Sequence, residues 1–264
     1  MSVASAEAKT PAWLEYLHME LEIVVLMVAV CGASALQSAT GIGFGVIAGP
    51  ILLILLNNGS AIQISIVLNL LIASILTPAL WRQADRPLLT QLVTGLAIGS
   101  PLGLLIFLNI DVVLLKLGAA GAVLLTLYMV VQDVRAKAPD PARRPTRIEQ
   151  VAIGTIAGIM GVCLAMPGPV PAAWMASNGY RKESIRATIL AMFVVSYAVA
   201  LALQAGLAEV GADVARFSLL LAPPTILGIL LGQYLGRRLS EKTYRWVLAA
   251  VLALTAILLF SSLG

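Results

Sequence analysis

Two clusters of glycine, proline and small polar residues carry most of the chemistry legible in this chain. The first runs Gln37-Ser38-Ala39-Thr40-Gly41-Ile42-Gly43-Phe44-Gly45 and is followed by Gly49-Pro50. The second contains Gly158, Gly161 and Met166-Pro167-Gly168-Pro169-Val170-Pro171. Proline removes a backbone donor and glycine costs a helix about 1 kcal/mol against alanine, so each cluster interrupts the apolar stretch that contains it. An interrupted helix leaves free N–H groups at the start of its second piece, where the dipole carries about half a positive charge. Glycines at 41, 43 and 45 let an oxyanion approach those amides closely. The expected chemistry is anion binding by backbone donors, without a buried lysine or arginine. Gln37, Ser38 and Thr40 are the nearest polar side chains, and Gly161, Pro167 and Gly168 shape the second half of the site. Asn69, mid-span in the next apolar segment, is a further candidate ligand.

Catalysis finds no comparable constellation. There is no metal-ligand cluster, P-loop or dinucleotide fingerprint, and no Asp or Glu lies mid-span in a clear apolar segment. The single histidine, His18, falls near a membrane edge. No enzymatic activity, metal or cofactor is expected. A reading from another class is a membrane thiol-redox carrier using Cys31 and Cys163. Neither cysteine has a cationic neighbour to lower its pKa, and buried free cysteines are ordinarily small apolar residues.

The elements that hold these clusters follow from composition. Of 264 residues, 60% are apolar and only 11% charged, with a mean hydropathy of +0.97. A soluble domain carries about 25% charged residues, because its surface demands a polar skin. Lipid must therefore be the solvent over most of this surface, which excludes a cytosolic enzyme, a nucleic-acid binder and a disulfide scaffold. Six apolar runs reach the roughly 20 residues that a membrane helix needs: 61–81, 88–108, 112–132, 184–203, 217–235 and 246–263. Two more, 21–56 and 148–177, hold the clusters and are broken in the middle.

The breaks recur at similar spacing. Gly49-Pro50 precedes Gly168-Pro169 by 119 residues, Asn58-Gly59 precedes Asn178-Gly179 by 120, and Gly99 and Gly103 precede Gly228 and Gly232 by 129. One order at nearly one offset reads as an internal duplication. The Gly-x-x-x-Gly pairs read as close helix packing, within the fold or in a homodimer. Charge then decides how the halves are related. If each broken segment crosses once, the 17 basic residues divide 9:8 between the two faces; if each returns to its own side, they divide 14:3. Only the second fits the excess of basic residues in cytoplasmic loops. Each half then adds three spans, an odd number, so the second enters inverted.

The expected architecture is an all-α polytopic membrane protein of two inverted repeats, each a broken or re-entrant helix pair plus three transmembrane helices. Residues 1–20 form an N-terminal interfacial segment, although Trp13, Leu14, Leu17 and Leu21 suit an extension of the first span equally. Residues 21–132 are the first repeat, 133–149 a cytoplasmic linker and 150–264 the second repeat, with both termini periplasmic. Inverted repeats whose broken helices meet near the midplane are the architecture of secondary transporters. An inside-negative potential drives anions outward by about 2.3 kcal/mol per charge per 100 mV. A positive pocket without a proton relay suits such export.

From about Cys31 to Phe260 the chain resembles the TauE/SafE family of sulfite exporters and related anion permeases. The likeness rests on the glycine-rich break leading to Pro50, on Ala61-x-x-x-Ser65, on Gly228-x-x-x-Gly232-x-x-x-Gly236-Arg237-Arg238-Leu239-Ser240, and on Tyr244-Arg245-Trp246-Val247-Leu248. Family members carry three glycines shortly before the proline in each half. Here the first half has the looser Gly41-Ile42-Gly43-Phe44-Gly45, and the second has Val162-Cys163-Leu164-Ala165-Met166 instead. The resemblance implies export of sulfite or an organosulfonate such as sulfoacetate across a bacterial inner membrane. Uptake of another sulfur-containing anion by the same fold is the alternative within the class.

Overall fold

A computed structural model of the protein describes residues 12–41, 43–132, 145–236, 238 and 241–262, and all regular structure among them is helical. Residues 1–11 and 133–144, with the start of the interfacial segment and most of the linker, lie outside the described residues. In chain order the helices are α1 (Ala12–Thr40), α2 (Phe44–Leu56), α3 (Ser60–Leu80), α4 (Arg86–Asn109) and α5 (Val112–Gln132). They are followed by α6 (Arg147–Leu164), α7 (Pro169–Ser177), α8 (Lys182–Leu207), α9 (Ala212–Gly236) and α10 (Glu241–Ser261). Among the described residues seven helices, all but α2, α7 and α10, are long and apolar enough to cross a membrane. This is a multi-pass membrane protein.

Polar residues fix where several spans begin. Asp85 accepts from the Leu88 N–H at 3.0 Å ahead of α4, and Asp111 accepts from the Leu114 N–H at 2.8 Å ahead of α5. Thr146 and Glu149 form a reciprocal capping box on α6. Leu105, Leu219, Leu230 and Ile257 are exposed, the arrangement expected of helices bathed in lipid.

Glycine sets the closest contacts. A Cβ added to Gly95, Gly99 or Gly103 of α4 would meet the carbonyl oxygens of Val151, Thr155 and Ile159 of α6 at 2.0, 2.0 and 2.6 Å. Both sets of numbers rise together, so α4 and α6 run parallel. Gly228 and Gly232 of α9 lie as tightly on the carbonyls of Cys31 and Ala35, so α1 and α9 are parallel too. Close backbone approach through small residues is how membrane helices gain contact without a hydrophobic driving force. The α3–α8 pair is antiparallel. Gln63, early in α3, donates to the Glu209 carbonyl just beyond α8, and the Asp85 N–H beyond α3 donates to Thr188 Oγ1 early in α8. At the second meeting point Tyr180, in the loop before α8, has its phenol pushed above the usual range by burial, and the Asp85 carboxylate adds to the shift. The packing also pairs up, for α4 lies on α6 as α9 lies on α1, and α3 lies on α9 as α8 lies on α4.

Two details of the breaks differ from expectation. Pro50 is the seventh residue of α2, whereas Pro169 is the first of α7, so the two Gly-Pro pairs occupy different places. Gly158 and Gly161 are helical within α6. Each break begins where the chain turns left-handed, at Gly41 (φ 87°) after α1 and at Ala165 (φ 56°) after α6. Only the first of these positions has the residue type that adopts this conformation without penalty.

Candidate functional site

The two breaks touch. A Cβ on Gly45 would sit 2.5 Å from the Ala165 carbonyl oxygen, and one on Gly49 would meet Met166 Cε at 3.3 Å. Between the breaks is a cavity of about 10 Å³, which is room for about one water. Its walls come from Gln37 of α1, from Gly43, Gly45 and Val46 at the start of α2, from Met166, Gly168 and Pro169 at the second break, and from Phe193 and Tyr197 of α8.

Gln37 organises the first half. It is buried, and its Oε1 accepts from the Phe44 N–H at 2.8 Å, capping α2 from the preceding helix. Its Nε2 is also buried and has no hydrogen-bond partner. The first intrahelical bond of α2 runs from the Ile47 N–H to the Gly43 carbonyl, so the N–H groups of Gly45 and Val46 precede the ladder. One side-chain donor and an open helical turn therefore line a single cavity. An unmet buried donor costs about 1–3 kcal/mol, so this arrangement is complementary to an acceptor that is absent from the protein itself.

The second break is poorer in donors. Of the residues ahead of the first α7 bond, Ala172 N–H to Gly168 carbonyl, Pro169 and Pro171 have no N–H, which leaves only Val170. Two carbonyls at the end of α6 are met from α8: Tyr197 donates its hydroxyl to Ala165 O at 3.1 Å, and Gln204 donates Nε2 to Val162 O at 2.8 Å.

Of the residues expected at the site, Gln37, Gly43, Gly45 and Gly168 line this cavity together. Ser38 instead donates to the Ile229 carbonyl of α9 at 2.9 Å, and Thr40 donates to Leu36 O at 2.8 Å. Gly161 faces Ser196 Oγ and Pro167 rather than the cavity, and Asn69 donates to Ser65 O within α3 at 2.9 Å. Gly41 packs on the side chain of Arg186, whose guanidinium Nη2 donates to the Ser38 carbonyl. A cation thus stands at the end of α1, outside the walls of the central cavity. In the sequence Arg186 reads as one more loop charge beside Arg181 and Lys182. Its signal is the register of α8: Arg186, Phe193, Tyr197 and Gln204 fall at spacings of 7, 4 and 7, which is one helical face. Both cysteines are free thiols, on α1 and α6.

A family model described as sulfite exporter TauE/SafE matches residues 25–259. No curated protein and no solved structure matches the chain.

Proposed function

Because the chain belongs to the sulfite exporter TauE/SafE family, a family of membrane transporters, we propose that it carries a small oxyanion outward across the bacterial inner membrane. The cargo is sulfite or an organosulfonate such as sulfoacetate. It binds where the two breaks meet, and access alternates between the faces. The observation that carries this reading is the unpartnered Gln37 Nε2 beside the open first turn of α2 in one small cavity. Gly43, Gly45 and Gly168 allow close approach, and Ser38, Thr40, Gly41, Gly161 and Pro167 keep the breaks in shape around it. Asn69 acts one layer away, on α3. A cavity with room for one water is a closed state, and the breaks must part to admit an anion of four or more heavy atoms.

In this reading the halves are inverted repeats, and each broken pair returns to the side it entered from. Helix direction supports it. With α1 parallel to α9 and α4 parallel to α6, broken segments that crossed once would leave α3 and α8 parallel, and returning hairpins leave them antiparallel, as observed. Both termini then face the periplasm and the linker faces the cytoplasm, in agreement with the 14:3 division of basic residues.

The test is flux of radiolabelled sulfite in proteoliposomes, with the potential set by potassium and valinomycin and with sulfate and sulfoacetate as competitors. Saturable flux that follows the potential and is blocked selectively is the expected result. Folded protein that moves none of the three anions withdraws the reading.

A further inference from the structure

One end of α8 gathers several charged side chains. Between the 3-10 turn Trp81–Gln83 and the start of α8 is a cavity of about 450 Å³, lined by Arg82, Gln83, Arg181, Glu183 and Ser184. Arg181 lies 3.7 Å from Glu183, and Arg82 adds a second exposed cation at the mouth. Lys182 and Glu183 are one helical turn from Arg186 along α8. Arg186 is half-buried, its stem fills the space in which a Cβ on Gly41 would come within 2.5 Å of Cγ, and its guanidinium holds the Ser38 carbonyl at the end of α1. Seven residues further along the same face is Phe193, which lines the central cavity; at 1.5 Å per residue that is about 10 Å.

We propose, on the footing of the anion-transport reading above, that Arg186 is a staging site and latch for the anion on the face that carries Arg82 and Arg181. In the closed state one partner of the guanidinium is a neutral acceptor, the Ser38 carbonyl, where the dipole of α1 leaves about half a negative charge. An arriving oxyanion is the better partner. It carries a full charge and matches the planar fork of donors, and a charge-assisted bond of this kind is about twice as strong as one between neutral groups. Transfer of the guanidinium from Ser38 to the anion loosens the end of α1, and Gln37, one residue before Ser38, moves with it. The latch is one-sided. At the second break the corresponding carbonyls are held by the neutral donors Tyr197 and Gln204.

Sulfite transport measured from each face separately, in vesicles of sorted orientation, tests this with the Arg186→Gln and Arg186→Lys variants. Loss of one charge-assisted bond predicts that Arg186→Gln raises KM on the Arg82/Arg181 face by about tenfold or more, with KM on the opposite face within about threefold of the parent. Arg186→Lys keeps the charge but not the fork, and its KM on the arginine face falls between the two. If Arg186→Gln does not fold, the lysine variant alone carries the comparison of faces. Shifts of equal size on both faces reduce Arg186 to a structural brace and overturn the proposal, as does an unchanged KM on both. A parent protein that moves no anion overturns the proposed function itself; a parent that moves sulfite with face-independent variant kinetics overturns only the latch.

Discussion

At the scale of single residues, the site depends on a few polar groups whose alternatives are costly. Tyr197 is buried and its hydroxyl is the donor to Ala165 O, a carbonyl on a residue held at φ 56°. Tyr197→Phe should cost about 1–3 kcal/mol by leaving that carbonyl unmet, read as a lower melting temperature in detergent. Gly45→Ala should cost a similar amount for a steric reason, because its methyl would meet the same oxygen at 2.5 Å and push the breaks apart. Equal melting temperatures for parent and both variants would contradict the packing described. Gln37 was legible in the sequence because it adjoins a glycine-rich break inside an apolar run. Arg186 was not, because two neighbouring basic residues give it the look of a cytoplasmic loop, and only the register of α8 sets it on the face that meets the breaks.

At the scale of elements, apolar length was a good guide to the helices: the six clear runs lie on α3, α4, α5, α8, α9 and α10. Five of these are among the seven helices long and apolar enough to cross a membrane, and the other two of the seven, α1 and α6, begin the broken runs. The breaks were legible as helix breakers in a segment that cannot leave backbone groups unmet in lipid. Their register was less so. Proline is tolerated inside membrane helices, and Pro50 sits within α2 while Pro169 starts α7, so the two Gly-Pro pairs hold different places in the two breaks. The close-packed pairs offer a sharper prediction. Gly99→Ala places a methyl 2.0 Å from the Thr155 carbonyl, so α4 and α6 must separate along their length. The expected cost is about 1–3 kcal/mol or more in thermal unfolding. The same change at Gly121, which has open space around it, should cost nothing measurable.

At the scale of the whole molecule, the two breaks meet, and the proposed topology has them enter as hairpins from opposite faces. Cysteines placed at Asn58, in the loop after α2, and at Asn178, after α7, should label with an impermeant thiol reagent from opposite sides of the membrane. Labelling of both from one side would mean that each broken segment crosses once. Membership of the sulfite exporter TauE/SafE family places the chain among membrane transporters, and the proposed site is where the breaks meet. The most direct test joins the two: potential-driven sulfite efflux from proteoliposomes containing the parent or Gln37→Glu. Glutamate can still accept from the Phe44 N–H, so the cap on α2 survives, and it replaces the Nε2 donor with negative charge. The account predicts a folded variant whose efflux falls by about tenfold or more, the loss of one hydrogen bond to a charged group. Efflux at the parent rate would place the anion's path elsewhere.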